Sequence, residues 1–405
     1  PISISSVVPN PAAVRPGDTV QIEVAASDLN GLSMAPRVWV GSEFLGNPVT
    51  TVGNIYTYEY TLSSSEPDGT LDITVSAVDR AGNGRTVTVP DAILVDGTAP
   101  SVSNLTCNLT PVRPGTTVLF SVTASDVNGL SGNPIIRVNG VNIGGADAVV
   151  GDIYQYFYTL SPFEAEGPCT VEVTAEDTVG NTTVVTSTTL LLVDNTPPSI
   201  TNFTANPAIV RAGDLVTLRV NVTDTSVLAG PPAMTLNSIA LGAPTVSGTQ
   251  YTWTYVIAAS IPDGMALLQV TATDAAGNVG TAYSNTTLRV DNTGPMITDT
   301  AATPALVAAN QMVSIQFRAF DIGCGLAGAP SVVVNGTNLG APFSYSGGLY
   351  TYHYTVPAGP VEGPATVSIS AVDMLSNTTT VTPAALFSID ASPPQVTGLQ
   401  VNPNV

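Results

Sequence analysis

The stretch Asp96-Gly97-Thr98-Ala99-Pro100 decides how this chain is organised, because close variants of it recur at a nearly constant interval. The variants begin at Asp194, Asp291 and Asp390, and each ends in proline. Successive aspartates lie 98, 97 and 99 residues apart (194−96, 291−194 and 390−291). Self-similarity at a fixed period is the signature of a tandem-repeat protein. We therefore predict repeats 1 to 4 at residues 1–97, 98–195, 196–292 and 293–391, with residues 392–405 as the start of a fifth repeat or an exchanged strand.

Repeat 1 shows the alternation of apolar and polar residues that is typical of β-strands with one buried face. The alternation runs from Thr19 to Ala26, from Tyr56 to Tyr60 and from Leu71 to Ala77, with glycine-rich turns between these stretches. No helical period of useful length is present. We predict an all-β fold of four tandem immunoglobulin-like β-sandwich domains in a linear rod, plus the first strand of a fifth.

Aromatic residues recur in the second of these strands in every repeat, at Tyr154–Tyr158, Tyr251–Tyr255 and Tyr350–Tyr354. Alternate tyrosines more often fill the core of a sandwich, which is the interpretation we favour. A platform for carbohydrate is the alternative.

The charge balance narrows the classes of partner. Only 10% of residues are charged, 30 acids face 10 bases, and the formal net charge is −20. The chain contains no lysine. Nucleic acids and anionic lipid surfaces demand basic patches, so we expect neither as a partner, and a metal cation fits better. No apolar run approaches the roughly 18 residues of a membrane span.

Four acidic positions recur in every repeat. The first follows the strand at Thr19 to Ala26, the second precedes and the third follows the strand at Leu71 to Ala77, and the fourth is the bridge aspartate. The offset from second to third is 11 residues and from third to fourth is 17 residues in every repeat. The four columns are Asp28, Asp126, Asp224 and Asp321; Asp68, Glu166, Asp263 and Glu362; Asp79, Asp177, Asp274 and Asp373; and Asp96, Asp194, Asp291 and Asp390.

An immunoglobulin strand order places the first and third columns where the chain enters a domain, and the second and fourth where it leaves. Each joint would then gather carboxylates that repel one another, and bound Ca²⁺, which takes oxygen ligands, would remove that cost. Zinc and copper would want His or Cys, which we expect at none of the joints. The predicted ligands, with an asparagine amide oxygen added, are Asp68, Asp96, Asp126, Asp177 and Asn181 at the first joint; Glu166, Asp194, Asp224, Asp274 and Asn278 at the second; Asp263, Asp291, Asp321, Asp373 and Asn377 at the third; and half-sites of Asp28, Asp79 and Asn83 at the entry end and of Glu362 and Asp390 at the exit end.

The alternative is that these aspartates only cap turns, since an aspartate side chain readily accepts hydrogen bonds from nearby backbone. A further alternative pairs the second column with arginines that recur at Arg15, Arg113 and Arg211. The calcium interpretation makes a geometric demand, namely that Asp68, Asp96, Asp126 and Asp177 lie together.

Cysteine and histidine are scarce. Cys107 and Cys169 both fall in repeat 2, and the other repeats carry small or apolar residues at the equivalent positions. This pattern favours a disulfide specific to repeat 2 over two buried thiols. Cys324 follows Asp321 and is either a free thiol or an intermolecular link. His353 has no acid or nucleophile arranged around it, so we interpret it as a solvated surface residue and predict that the chain is not an enzyme.

The motifs Ala77-Val78-Asp79-Arg80-Ala81-Gly82-Asn83 and Val193-Asp194-Asn195-Thr196-Pro197-Pro198 resemble the tandem immunoglobulin-like (Big-type) repeats of bacterial and archaeal surface proteins, adhesins and fibres. The resemblance covers essentially the whole chain. It implies an extracellular or cell-surface location, but such repeats serve as stalks, adhesive tips and polymer subunits alike. Eight glycosylation sequons suit the same location, although chance could produce them in a chain so rich in Asn and Thr.

We therefore expect an extracellular structural protein, a rod whose joints calcium stiffens. The unmatched half-sites at its two ends suggest that copies assemble head-to-tail into a filament. The alternatives are the spacer of a longer cell-surface adhesin or surface enzyme, and a module that binds a cell-surface glycan on a host or neighbouring cell. A start at Pro1 without a signal peptide indicates a processed or excised segment.

Overall fold

The computed structural model describes residues 1–359, 362–398 and 400. Every regular element in this part of the chain is a β-strand. Accordingly, the described residues include no helix that is long and apolar enough to cross a membrane. The chain divides into two compact units, the first formed mainly by Pro1–Asn195 and the second mainly by the chain from Thr196 onward.

Repeat 1 is a sandwich of two sheets with the strand pairing of an immunoglobulin domain. One sheet has the order β1-β3-β7-β6 and the other the order β2-β9-β8-β4-β5. All neighbours are antiparallel except β2 and β9, which are parallel. The strands are β1 (Ser3–Asn10), β2 (Ala13–Val14), β3 (Thr19–Ser27), β4 (Arg37–Val40), β5 (Glu43–Phe44), β6 (Thr50–Val52), β7 (Ile55–Thr61), β8 (Gly69–Val78) and β9 (Gly84–Val95).

Repeat 2 has the same pairing. Its sheets have the orders β10-β11-β15-β14 and β13-β12-β16-β17. Its strands are β10 (Ser101–Cys107), β11 (Thr117–Ser125), β12 (Ile135–Val138), β13 (Val141–Asn142), β14 (Ala148–Val150), β15 (Ile153–Thr159), β16 (Gly167–Glu176) and β17 (Thr182–Val193).

In the second unit the long strands of one sheet are each broken in two, so that repeats 3 and 4 contain three small sheets each. Repeat 3 contains β18 (Ser199–Asn206), β19 (Ile209–Val210), β20 (Leu215–Thr223), β21 (Ala233–Leu236), β22 (Ile239–Ala240), β23 (Thr245–Ser247), β24 (Gln250–Val256), β25 (Gly264–Met265), β26 (Leu268–Thr273), β27 (Val279–Ser284) and β28 (Arg289–Val290). Repeat 4 contains β29 (Met296–Thr303), β30 (Leu306–Val307), β31 (Met312–Phe320), β32 (Ser331–Val334), β33 (Thr337–Asn338), β34 (Ser344–Ser346), β35 (Leu349–Thr355), β36 (Gly363–Pro364), β37 (Val367–Val372), β38 (Thr378–Val381) and β39 (Ser388–Ile389).

Each repeat has its own hydrophobic core, built from the inward positions of its strands. In β3 the residues Val20, Ile22 and Val24 are fully buried, as the alternation predicts. The tyrosine strand also faces inward, because Tyr58, and Tyr156 at the equivalent place, are buried. The Tyr58 hydroxyl donates to the carbonyl oxygen of Pro36, and this hydrogen bond recurs in repeats 2 and 4. The core-filling interpretation of the tyrosines is therefore confirmed.

The predicted disulfide is wrong, since Cys107 and Cys169 are free thiols. They lie in opposite sheets, at the end of β10 and within β16, and contribute to one core. The Sγ of Cys107 donates to the carbonyl oxygen of Leu109 at 3.2 Å, whereas Cys169 is buried and packs as a small apolar side chain.

The predicted fifth strand falls largely on residues 399 and 401–405, which lie outside the described residues. Residues 392–398 and 400 carry no strand, so the start of a fifth repeat stays a prediction.

Two loops meet at one end of each sandwich. In repeat 1 an isolated bridge pairs Leu32, in the loop after β3, with Asp79 at the end of β8. At the other end Gly69, which starts β8, pairs with Val95, which ends β9. The first and third acidic columns therefore share one end of a repeat and the second and fourth share the other, as the strand order predicts.

Candidate metal centres at the joints between repeats

The first joint gathers three carboxylates from two repeats. Asp96 follows β9 in repeat 1, whereas Asp126 and Asp177 follow β11 and β16 in repeat 2. One carboxylate oxygen from each lies within 4.8 Å of the other two. Asp96 and Asp177 are almost fully buried and Asp126 is half-buried. This first-joint cluster has the composition of a cation site.

Asp177 is held rigidly by the turn that follows it. Its Oδ1 accepts hydrogen bonds from the backbone N–H groups of Val179 (2.9 Å), Gly180 (2.7 Å) and Asn181 (2.9 Å). Its Oδ2 accepts a hydrogen bond from Nδ2 of Asn181 at 2.6 Å. Burial opposes ionisation of Asp177, but these donors outweigh it and lower its pKa. The turn therefore presents a charged carboxylate in a fixed position.

Asn181 also ties the turn to the preceding repeat. Its Nδ2 donates to the carbonyl oxygen of Asp96 at 3.1 Å. We expected the amide oxygen of this residue as a metal ligand, but the contacts that hold it in place are made by its amide nitrogen. The ligand role stays a prediction.

Asp96 leaves one acceptor unused. Its Oδ1 accepts a hydrogen bond from the Thr98 backbone N–H at 3.1 Å, whereas Oδ2 is buried without a hydrogen-bond partner. Within the described residues no arginine forms an ion pair with Asp96, Asp126 or Asp177. Two unit charges at about 4.8 Å repel by roughly 3 kcal/mol at an effective dielectric constant near 20. The cluster therefore concentrates negative charge that only a cation or protonation would relieve.

The prediction that four carboxylates converge at the first joint is wrong, because Asp68 is not part of this cluster. Its Oδ1 accepts a hydrogen bond from the Gly97 N–H at 2.7 Å, and its Oδ2 accepts one from the Thr98 hydroxyl. These bonds lower the pKa of Asp68. The second column thus clamps the linker, and the demand that all four carboxylates lie together is not met, since only Asp96, Asp126 and Asp177 converge.

In repeat 1 the arginine alternative is not observed, because the Asp68 carboxylate is bound by Gly97 and Thr98. Arg15 lies 3.6 Å from Asp18 in its own turn, and its Nη1 donates to the carbonyl oxygen of Gly180 at 3.3 Å. This arginine therefore bridges the two repeats without neutralising Asp68.

The third joint, within the second unit, repeats the arrangement and adds sulfur. Asp291 follows β28, Asp321 follows β31 and Asp373 follows β37. One ligand atom from each of these residues and the Sγ of Cys324 all lie within 4.8 Å of one another. We call this group the third-joint cluster. The expectation that no joint contains a cysteine is therefore wrong.

The framework of the third joint matches that of the first. Oδ1 of Asp373 accepts hydrogen bonds from the N–H groups of Leu375 (2.9 Å) and Asn377 (2.8 Å). Nδ2 of Asn377 donates to Asp373 at 2.7 Å and to the carbonyl oxygen of Asp291 at 3.0 Å. Asp263 clamps the linker, because it accepts hydrogen bonds from the Asn292 N–H at 2.7 Å and from the Thr293 hydroxyl. The second, third and fourth columns therefore make equivalent hydrogen bonds at both joints.

Cys324 reaches the cluster because its loop is one residue longer. The leucine that bridges the third-column aspartate lies four residues after the first-column aspartate in repeats 1, 2 and 3, but Leu326 lies five residues after Asp321. Burial raises the pKa of the Cys324 thiol to about 11, and the Asp291 carboxylate beside it adds to the shift. The extra residue was visible in the sequence, but its consequence was not.

Other predicted ligands lie apart from the first- and third-joint clusters. Asp79 and Asn83 form the same turn in repeat 1, with Nδ2 of Asn83 donating to Asp79 at 2.8 Å. Asp28 lies 3.2 Å from the terminal nitrogen of Pro1. Glu362 accepts a hydrogen bond from the Ser392 hydroxyl.

The residues predicted for the second joint belong to two different units and are described within each. Asp194 follows β17 in the first unit, where it is buried, and Glu166 is exposed just before β16. In the second unit Asp224 follows β20, and Asp274 accepts a hydrogen bond from Nδ2 of Asn278 at 2.8 Å. Asp390 follows β39 and is exposed.

His353 lies on β35 and is half-buried rather than fully solvated. Its ring stacks on Phe343 with centroids 3.9 Å apart. This contact gives it a packing role.

Comparison with protein families identifies the domain type. Residues 152–256 match the family described as bacterial Ig-like domain (group 3). The match starts in repeat 2 and ends in repeat 3 of our division, so it spans about one repeat length. No curated protein matches the chain.

Several solved structures are similar to the chain. One is a Ca²⁺-stabilized adhesin that helps an Antarctic bacterium reach out and bind ice, at 18% identity, covering 96% of this chain and 100% of that one, with a TM-score of 0.42. Another is a tetra-tandem repeat in the extending region of a large adhesion protein, at 21% identity and a TM-score of 0.34, covering 96% and 99%. A third is an I-band fragment from titin, at 14% identity and a TM-score of 0.39, covering 71% and 99%.

The family match and the common strand pairing of the repeats point the same way. The matched segment contributes strands to both repeats 2 and 3, and the sheet that contains the tyrosine strand has the same order in all four repeats. The chain is a tandem array of immunoglobulin-like domains, of which residues 152–256 match the bacterial Ig-like domain family (group 3).

Proposed function

We propose that this chain is an extracellular spacer in which Ca²⁺ bound at the first joint fixes the angle between repeats 1 and 2. The observation that carries the proposal is the first-joint cluster, where the buried Oδ2 of Asp96 has no hydrogen-bond partner and two further carboxylates face it. A buried charge of this kind is costly unless a cation or proton compensates it.

The donor chemistry of the first joint favours calcium. Its three acidic residues offer oxygen only, and Asp177 is already charged and oriented. Ca²⁺ takes six to eight oxygen ligands in flexible geometry and completes its shell with carbonyl groups and water. Zinc and copper prefer nitrogen or sulfur, which this cluster lacks.

Stiffening follows from where the ligands come from. Asp96 belongs to repeat 1, whereas Asp126 and Asp177 belong to repeat 2, so a bound ion links the two repeats directly. An ion that binds only the assembled joint stabilises that arrangement by mass action. The Asp68 clamp and the Arg15 contact hold the linker in the arrangement that binding needs.

The test is calcium titration of the full chain by calorimetry, with thermal melting and small-angle scattering in calcium or chelator. We expect calcium to raise the melting temperature and to narrow the distribution of scattering dimensions. The variant Asp96→Asn should lose one binding site, since the neutral amide removes a charged ligand. Asp152→Asn, at an exposed turn, is the matched control and should bind as the wild type does. Unchanged melting and scattering with calcium would refute the proposal.

Because Tyr58, Tyr156 and Tyr352 are buried in the cores, we do not propose a glycan site on their strands. Head-to-tail association, a partner on neighbouring cells and the lack of enzyme activity stay predictions of the sequence.

A further inference from the structure

We propose that the third joint is a mixed sulfur–oxygen site that takes a divalent cation of the zinc class, whereas the first joint takes calcium. This inference rests on the proposed function, because it assumes that the joints bind cations. Four side chains supply the donors: the carboxylates of Asp291, Asp321 and Asp373, and the Sγ of Cys324.

Asp291 points to a ligand independently of the clustering. It is 3% exposed, and its Oδ2 is buried without a hydrogen-bond partner. The nearby Arg289 is not among the ion pairs of the described residues, and its Nη2 donates to the carbonyl oxygen of Ile322 at 2.8 Å. Within the described residues no ion pair reaches any of the four donors.

The loop after β31 leaves room for the Asp291 carboxylate beside Gly323. A Cβ atom at Gly323 would lie 1.9 Å from Oδ2 of Asp291, so any other residue here would displace that carboxylate. Oδ1 of Asp321 accepts hydrogen bonds from the N–H groups of Cys324 (2.8 Å) and Gly325 (2.7 Å). The longer loop therefore brings Cys324 in while keeping Asp321 and Asp291 close.

The donor set selects the cation. Zinc prefers four ligands, with sulfur at about 2.3 Å and carboxylate oxygen at about 2.0–2.2 Å, and one thiolate with three carboxylates supplies that number. On binding, the Cys324 thiol loses its proton to solvent and its sulfur gives an electron pair to the metal. Calcium is a hard ion that gains little from a thiolate, so sulfur distinguishes this joint from the oxygen-only first joint.

The experiment titrates the reduced full chain with Cd²⁺, a spectroscopic stand-in for zinc, and with Zn²⁺ by competition against a chromophoric chelator. We expect one equivalent of Cd²⁺ to produce the ultraviolet charge-transfer band of a thiolate–metal bond. Cys324→Ser and Cys324→Ala should abolish the band and weaken zinc binding, because each removes the thiolate ligand. Cys107→Ser, the matched control thiol, should leave both unchanged.

The outcomes separate this inference from the calcium proposal. A band that persists in both Cys324 variants, or one that Cys107→Ser removes, shows adventitious binding and overturns the inference. Calcium binding at the first joint with no cadmium band overturns the inference and leaves the proposed function standing. A cadmium band that depends on Cys324, in a chain whose melting and scattering do not change with calcium, supports the assignment of the third joint. The same result refutes calcium stiffening.

Discussion

The first and third joints are built on one framework and differ in a single loop. At both, an aspartate after the third column's strand accepts backbone N–H groups, and an asparagine four residues later donates to the linker carbonyl. At the third joint the loop after Asp321 is one residue longer and brings in Cys324. One inserted residue in a surface loop can therefore change the chemistry of a site while the fold that supports it stays the same.

The largest effect should come from the shared turn. Asp177→Ala and Asp373→Ala each remove an acceptor of two or three half-buried backbone N–H groups, and leaving a buried donor unpaired costs about 1–3 kcal/mol. We expect each variant to destabilise its own repeat by roughly 3 kcal/mol, equally at the two joints. Denaturant unfolding of the full chain measures this loss, with Asp152→Ala as control. A large loss at only one joint would show that the framework is not common to both.

A smaller effect, confined to the third joint, should follow from Gly323→Ala. The added methyl group would collide with Asp291, and overpacking of this kind costs typically about 1–3 kcal/mol. The variant should also lose cation binding at that joint and keep it at the first. Gly328→Ala, where a Cβ meets no atom within 4 Å, is the matched control. Thermal melting and metal titration that leave the two variants alike would contradict the close approach.

Acid should release the linker clamps at both joints. Thr98 and Gly97 lower the pKa of Asp68; for Asp263, burial opposes ionisation, but hydrogen bonds from Thr293 and Asn292 outweigh it and lower the pKa. A lowered folded-state pKa gives stability that is present above the unfolded value of about 3.9 and lost as pH falls through the folded value. The melting temperature should therefore fall as pH drops below about 4.

The variants Asp68→Asn and Asp263→Asn should make the melting temperature depend less on pH below about 4. Each should be less stable than the wild type at neutral pH and should converge with it in acid, as followed by melting from about pH 2 to pH 7. A parallel displacement of the whole curve would indicate that the clamps do not titrate in this range.

The smallest effects should distinguish the two arginines that cross the joints. Arg289 makes a 2.8 Å bond to Ile322 and its Nε is buried, whereas Arg15 makes an exposed 3.3 Å bond to Gly180. We expect Arg289→Ala to cost about 1 kcal/mol and Arg15→Ala to stay within roughly 0.5 kcal/mol. Chemical denaturation of both variants makes the comparison, and equal losses would show that burial does not separate them.

Much of the fold was readable in the sequence, because its signals are local. The alternation in Thr19–Ala26 reports which side chains face the core, and the turn at Asp79 is specified by bonds within four residues. Cys169 shows the limit of this reasoning, since substitution in one repeat suggested a disulfide where the thiol is simply packed in the core.

The sequence by itself determined the repeat period, the strands and the ends of the domains to which each acidic column belongs. Only the tertiary structure decided which side chains meet across a joint, because those contacts join residues far apart, such as Asn181 and Asp96, 85 positions from each other. It also showed that Asp68, predicted as a ligand, instead binds the linker, since the Gly97 N–H and the Thr98 hydroxyl donate to its two oxygens. It also placed Cys324 beside Asp291, because the position of a loop side chain depends on backbone packing that periodicity does not encode.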